Sequence, residues 1–314
     1  MSTDGLRARR VLVIGCGLTG SAVVRRMHGA GADVVCADLD GERARAVAGT
    51  AAGQWLRLDL GDREQTMSAL RSTAPEIVVH AAGRLTARSA RDAGRLVTGT
   101  AASAAHLAEA AVSAGVPRLV LLSSLGVYGA SAGGPPVRET APIRPVTPYG
   151  AAKAAAEAIL TGCCAGTGTA VRIGRLAGVY GPGARAGGGW MAAALLRLLA
   201  LHLTGRPVSV PARLHDREYL HTDDAATALT LLAAAPEGVP PVLNIGTGRP
   251  TPVQEVADAF RALGADVVRP RPADGTPNRP LDVSAAARAL GFTARTTLPD
   301  GLAAWCAQLR KEGP

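Results

Sequence analysis

Arg10-Val11-Leu12-Val13-Ile14-Gly15-Cys16-Gly17-Leu18-Thr19-Gly20 is a short β-branched and leucine run that ends in a glycine turn, and residues 21–29 continue it with a helical pattern. Strand, glycine turn and helix in that order are the setting that a G-x-G-x-x-G sequence requires. Gly15, Gly17 and Gly20 let the backbone turn tightly and approach a pyrophosphate. The pyrophosphate then sits at the N-terminus of the following helix, where free N–H groups and the dipole favour negative charge. A second strand over 33–37 ends at Asp38, about 20 residues on, where a carboxylate accepts hydrogen bonds from the adenosine ribose hydroxyls. The same carboxylate repels a 2′-phosphate, so the reading favours NAD over NADP, with Asp40 and Arg43 close by.

The alternation continues downstream. Residues 55–58 and 77–82 read as third and fourth strands, the first leading into Asp59-Leu60 and the second ending in His80-Ala81-Ala82-Gly83, with a helix over 63–72 between them. A helix over 100–114 follows, and a strand over 118–122 delivers Ser123 and Ser124. Strands alternating with helices imply right-handed crossovers and a parallel sheet. The fold class is α/β, a Rossmann-type doubly wound parallel sheet with a small mixed C-terminal substrate lobe. Ligands on such sheets bind beyond the carboxyl ends of the strands, which is where Gly15, Asp38, Asp59 and Ala82 fall. Asp59 also reads as a helix cap, and the apolar-flanked His80 as a packed core residue.

Beyond Ser124 stands Tyr149-Gly150-Ala151-Ala152-Lys153. On a helix a Tyr and a Lys four apart lie on one face, so phenol and ammonium can meet at one site. An adjacent cation favours the phenolate, moving the Tyr toward a range where it exchanges protons at neutral pH. Only two of the chain's 34 basic residues are lysines, Lys153 and Lys311, so Arg is the default cation and Lys153 stands out.

Composition bounds the function. The chain has 314 residues, 47% of them hydrophobic, enough for a large buried core. Its formal charge of +9 invites a nucleic-acid reading, but the arginines are scattered and aromatic residues make up only 3%, so no nucleic-acid partner is expected. The positive field suits an anionic small molecule. Five cysteines (Cys16, Cys36, Cys163, Cys164, Cys306) show neither metal spacing nor a disulfide framework, which fits a reducing cytoplasm and no metal. No apolar run approaches the ~20 residues of a membrane span, and the N-terminus lacks a signal-peptide core, so no membrane partner is expected.

Taken together, the motifs resemble the extended short-chain dehydrogenase/reductase superfamily, in its NAD-dependent epimerase/dehydratase group, whose best-known members act on nucleotide-activated sugars. The matching stretches are Gly15 to Gly20, Asp59-Leu60, His80 to Gly83, Gly115 to Val120, Ser123 to Gly129, Pro148 to Lys153, Arg175 to Gly183, Arg217 to Asp224 and Asn244 to Gly246, in family order along nearly the whole chain. The resemblance implies a catalytic trio of Ser124, Tyr149 and Lys153. Tyr149 exchanges a proton with the substrate oxygen, Lys153 holds the nicotinamide ribose and favours the phenolate, and Ser124 orients the reacting hydroxyl or carbonyl. Cofactor contacts are implied for Gly15, Gly17, Leu18, Thr19, Gly20, Asp38, Asp59, Leu60, Ala81, Ala82, Gly83, Tyr149 and Lys153. Substrate contacts are implied for Ser124 and, on a diphosphate, for Arg217 and Arg279, where a guanidinium fork suits the ligand.

Three places depart from the family pattern. Ile14 stands where a G-x-x-G-x-x-G loop has its first glycine, Leu96 where an Asn is usual, and Leu125-Gly126 where the 4,6-dehydratases carry Asp-Glu. Without that acid and base, dehydration is disfavoured. Residues 1–183, with 219–247 returning to them, are expected to form the NAD-binding domain, and 184–218 with 248–314 the substrate lobe. There 187–189 is a hinge-like glycine run, 190–204 an apolar helix lining the pocket or packing on a second subunit, and 269–280 a cleft-side loop. The function expected is C4 epimerisation of a nucleotide sugar through a keto intermediate, by a cytoplasmic homodimer. The alternatives are an NAD(P)H-dependent keto-sugar reductase of deoxysugar or natural-product biosynthesis, and a dinucleotide-sensing regulator without catalysis.

Overall fold

In the computed structural model, β1 (Arg10–Ile14), α1 (Leu18–Gly29), β2 (Asp33–Asp38), α2 (Gly41–Thr50) and β3 (Gln54–Arg57) wind outward from the centre of a parallel sheet. The structure describes residues 3–50, 53–83, 90–129, 133–184, 189–214, 216–268 and 279–312. The chain then crosses over through α3 (Arg63–Thr73) to β4 (Ile77–His80) on the other side of β1. From there α4 (Ala90–Ser113), β5 (Arg118–Ser124), α5 (Pro148–Cys164) and β6 (Ala170–Leu176) wind in the opposite direction. With a later strand, β10 (Val242–Ile245), at one edge, the order is β10-β6-β5-β4-β1-β2-β3, and the reversal between β1 and β4 is the switch point at which such sheets open a crevice for ligands.

The helices cover the two faces as the apolar residues dictate. On one face α3, α4 and α5 bring Leu70, Leu107, Ala111 and Leu160 onto Leu12, Val78 and Leu119 of the strands. On the other, α1 lays Val23 and Met27 against Val11 and Val13, beside Leu229 and Leu232 of a later helix. The central strands β1, β4 and β5 are buried on both sides and read as continuous apolar runs for that reason, whereas the edge strand β3 is largely exposed. Asp62 caps α3, its side chain accepting from the Gln65 amide at 3.0 Å, so the expected cap role of Asp59 belongs to its neighbour. Asp59 is exposed and instead closes a turn by accepting from the Gly61 amide at 2.8 Å.

After β6 come β7 (Gly178–Tyr180), α6 (Trp190–Leu203), β8 (Val208–Ser209), β9 (Tyr219–His221), α7 (Thr222–Ala234) and β10 (Val242–Ile245). β10 pairs with β6 in the main sheet, whereas β9 pairs with β7 in a separate two-stranded sheet. Helix α8 (Val253–Ala262), strand β11 (Val267–Val268), α9 (Ser284–Leu290) and α10 (Leu298–Glu312) complete the described chain. A second core gathers Leu195 and Leu199 of α6, Phe260 of α8 and Leu302 and Trp305 of α10. The apolar side of α6 packs into this second core. Residues 187 and 188 of the glycine run, and 269–278 of the cleft-side loop, lie outside the described residues.

Candidate active site

The glycine loop is shaped by what a side chain there would strike. Gly15 has φ +99°, and a Cβ on it would lie 2.3 Å from the Ala82 amide nitrogen, while one on Gly20 would lie 1.7 Å from the Gly15 carbonyl oxygen. The loop is therefore pressed onto the start of α1 and onto Ala81-Ala82 at the end of β4. Gly17 differs: a Cβ there meets nothing within 4 Å, and the residue is exposed, extended and at the N-cap of α1. No side chain caps α1 and no acidic residue stands in its first turn. Leu18 and Thr19 thus present helix-terminal amides beside open space, which suits the pyrophosphate of a dinucleotide.

Asp38 closes the other end of this crevice. Its carboxylate is 7% exposed and accepts from the Cys16 amide at 2.7 Å and the Asp40 amide at 2.9 Å, tying β2 to the glycine loop. Arg43 bridges Asp38 at 3.3 Å and Asp40 at 3.1 Å. The acidic residue expected to face the adenosine ribose therefore has a guanidinium at its side, a pairing that the strand pattern did not disclose.

Ser124, Tyr149 and Lys153, expected from the resemblance to act together, lie at the carboxyl edge of β5. Ser124 ends that strand, and its Oγ accepts from the Gly126 amide at 3.1 Å, which leaves the hydroxyl proton to be given to the Tyr149 phenol. Tyr149 is half-buried in the first turn of α5, whose Thr147 cap accepts from the Gly150 amide at 3.1 Å. Backbone meets backbone here, since a Cβ on Gly150 would lie 2.3 Å from the Gly126 carbonyl oxygen. Lys153 is buried one turn on and donates to the Leu122 carbonyl at 2.8 Å. A Cβ on Gly83 would stand 3.4 Å from its ammonium, so Gly15, Gly20, Ala81, Ala82, Gly83 and Lys153 form one continuous track. Leu60 borders the same edge, buried, with its carbonyl against His106 Nδ1 at 2.9 Å.

One expectation fails in sign. A cation beside Tyr149 was to favour the phenolate, but burial pushes the phenol up to about 12, with the Ser124 hydrogen bond pulling the other way. The reason is desolvation: a phenolate held away from water costs more than a neighbouring cation returns. Burial also brings the lysine itself down to about 8. His80, at the end of β4, is 3% exposed and is held neutral, pushed down to about 3 by burial and by the Lys153 charge. It is the packed core residue expected of it.

The two arginines lie on segments that a buried carboxylate draws together. Glu218, next to Arg217, accepts from the Leu281 amide at 3.0 Å, two residues beyond Arg279. Arg217 stands over the half-exposed Trp190 ring at 5.3 Å, and Arg279 donates to the Pro135 carbonyl at 2.6 Å. Leu125 and Gly126 form a tight turn after Ser124 and place no acid there. Among the described residues no cluster of His, Cys, Asp or Glu could hold a metal, all five cysteines are free, and no helix is long and apolar enough to cross a membrane.

Comparison with known proteins agrees with this geometry. The chain is 30% identical to a UDP-glucose 4-epimerase of Azospirillum brasilense, across 96% of this chain and 92% of the relative. It is equally, 30%, identical to a dTDP-6-deoxy-L-talose 4-dehydrogenase (NAD(P)(+)) of Kitasatospora kifunensis, across 96% of each. The solved structure of MoeE5 in complex with UDP-glucose and NAD superposes with a TM-score of 0.81 at 31% identity, covering 96% of this chain and 99% of that one. The model of the NAD dependent epimerase/dehydratase family matches residues 11–246, from β1 through the end of β10. The chain belongs to that family, within the extended short-chain dehydrogenase/reductase superfamily, and its cofactor is NAD.

Proposed function

We propose that the protein is an enzyme acting at a hydroxyl or keto carbon of a nucleotide-activated sugar, and that its reaction is C4 epimerisation. The observation that carries this reading is the meeting of Ser124, Tyr149 and Lys153 at the end of the track that starts at the glycine loop. Full-length similarity to a UDP-glucose 4-epimerase and to a structure bound to UDP-glucose supports the substrate class.

Bound NAD supplies reversible hydride acceptance at the sugar carbon. Tyr149 takes the hydroxyl proton as that carbon is oxidised and returns it to the keto oxygen as the carbon is reduced. Ser124 gives its proton to whichever oxygen stands beside the phenol and so orients it. Lys153 presents its remaining N–H groups to the nicotinamide ribose. Arg217 and Arg279 take the diphosphate, and Asp38, Gly17, Leu18 and Thr19 take the dinucleotide. In this reading residues 1–183 and 219–247 form the cofactor domain, the rest the substrate lobe, and the enzyme works as a cytoplasmic homodimer.

The test is to incubate the purified protein with UDP-glucose, UDP-galactose and their dTDP counterparts and follow the sugar protons by NMR. Interconversion of the C4 epimers without net consumption of dinucleotide is expected. Steady oxidation of added NADH or NADPH on a 4-keto sugar, with no epimer formed, would replace the reading by a keto-sugar reductase. The salt bridge of Arg43 to Asp38 gives that second reading its footing, because a guanidinium there can meet a 2′-phosphate. Wild type is expected to prefer NADH over NADPH by at least ~10-fold in Kd, about 1.4 kcal/mol. Arg43→Ala should widen that preference and Asp38→Ser narrow it, as read by dinucleotide fluorescence. Equal affinities in wild type would overturn the assignment of Asp38 as discriminator.

A further inference from the structure

Tyr149, Lys153 and Glu157 follow one another at four-residue intervals on α5, and Glu157 has no part in the chemistry above. Its carboxylate is 4% exposed and is held from two strands. Arg175 of β6 donates to it from Nη2 at 2.7 Å and from Nε at 3.1 and 3.2 Å, and Ser123 of β5 gives it a hydroxyl hydrogen bond. Arg175 is pinned on its far side as well, donating from Nη1 to the Tyr128 phenol at 2.9 Å and to the Glu139 carbonyl at 3.1 Å. The Tyr128 hydroxyl in turn donates to Asn244 of β10 at 2.7 Å. A carboxylate fixed in this way stays one helical turn from the ammonium.

Lys153 needs such a neighbour, because burial disfavours its charged form. From β4 it faces His80, which is neutral and offers no countercharge. From its own helix it faces Tyr149, protonated near neutral pH, and Glu157. From β5 it has the Leu122 carbonyl, and α4, packed on α5, brings Ala104, Leu107, Ala108 and Ala111 to the shared core. The negative charge acting on the ammonium is that of Glu157.

We propose that Glu157 is a positioning residue of the active site: locked by Arg175 and Ser123, it is the counter-ion that keeps the buried Lys153 charged, and it holds the strand end bearing Ser124 against α5. The proposal rests on the reading of Lys153 and Ser124 as site residues, and it separates Glu157 from an ion pair that merely joins helix to sheet. Burial brings Lys153 from its ordinary 10.5 to about 8, and the Glu157 charge opposes that fall. Removing the carboxylate therefore lets the lysine lose its proton at lower pH. Dinucleotide binding, which uses the ammonium's donors, then fails earlier on the alkaline side.

Because the chain has only two lysines, protein labelled with 13Cε-lysine gives one signal for Lys153 and one for the exposed Lys311 as internal reference. In Glu157→Gln the Lys153 titration midpoint is expected to fall by about one pH unit or more, with Lys311 unmoved. The alkaline rise in the NADH Kd should move with it. Where Glu157→Gln strands Arg175 and fails to fold, the double variant Glu157→Gln/Arg175→Met removes both charges and carries the same expectation. A Lys153 midpoint equal to that of wild type in the folded variant would overturn the proposal. Neither readout depends on the sugar, so this result stands apart from the epimerase assay.

Discussion

Tyr149→Phe is expected to lower turnover by at least ~10²-fold, the scale on which a single positioned acid or base contributes, while leaving the fold and the NADH Kd within a few-fold of wild type. Tyr149 lies in the first turn of α5, fixed there by the Thr147 cap and by the close approach of Gly150 to Gly126, neither of which involves the phenol oxygen. A phenyl ring keeps that packing. What is lost is the proton that moves between enzyme and sugar, together with the partner of the Ser124 hydroxyl. The high phenol value, about 12, makes Tyr149 a group that holds its proton at neutral pH, so reduction of a keto sugar is the direction it is ready to assist. Oxidation needs the phenolate, which burial disfavours and which the Ser124 hydrogen bond and the α5 N-terminus favour. Single-turnover kinetics on a nucleotide sugar, beside NADH titration, would check this. Unchanged turnover would remove Tyr149 from the chemistry. Ser124→Ala should cost less, since it removes orientation and leaves the proton in place.

The sheet edge was legible because its residues obey local rules. β1, β4 and β5 are apolar runs of strand length, and each ends in the glycine, alanine or serine residues that the crevice requires. The spacing from Tyr149 to Lys153 is a helical turn, so their shared face followed from geometry alone. Helix α4 begins ten residues before the sequence pattern suggested, at Ala90, because Gly94 and Gly99 weaken a helical reading that tertiary packing overrides. What could not be read were contacts between distant residues. β6 carries Arg172 and Arg175, which look like surface positions, yet both are buried, and Arg175 finds its carboxylate 18 residues away on α5. Arg43 is the local counterpart: its nearness to Asp38 was legible, and the turn between β2 and α2 brings the guanidinium back onto the carboxylate. Tyr149 differs in sign from its expectation because sequence spacing gives the distance to a cation but not the burial that disfavours the phenolate.

The glycine loop offers a pair of substitutions whose contrast separates folding from cofactor binding. Gly20→Ala places a Cβ where the Gly15 carbonyl oxygen already stands, 1.7 Å away, and backbone on both sides must move to admit it. Overpacking of this kind costs on the order of 1–3 kcal/mol or more, and in a chain of 314 residues each kcal/mol lowers Tm by roughly 1.5 °C. Gly15 is also the residue pressed against Ala82, so a displaced loop pulls on the end of β4 and on the track toward Lys153. Gly20→Ala should therefore both lower Tm by several degrees and raise the NADH Kd by ~10²-fold or more, about 2.7 kcal/mol. Gly17→Ala puts its methyl into open space, with a backbone conformation that any residue adopts, and the only structural loss is a poorer N-cap, worth about 1 kcal/mol or less. If the space beside Gly17 is where the pyrophosphate comes to rest, that methyl should raise the NADH Kd by at least ~10-fold, about 1.4 kcal/mol, with Tm almost unchanged. Thermal unfolding and fluorescence titration on the same two variants make the comparison. A Gly17→Ala protein that binds NADH as wild type does would move the pyrophosphate away from the N-terminus of α1, and with it the direction in which the dinucleotide runs toward Tyr149.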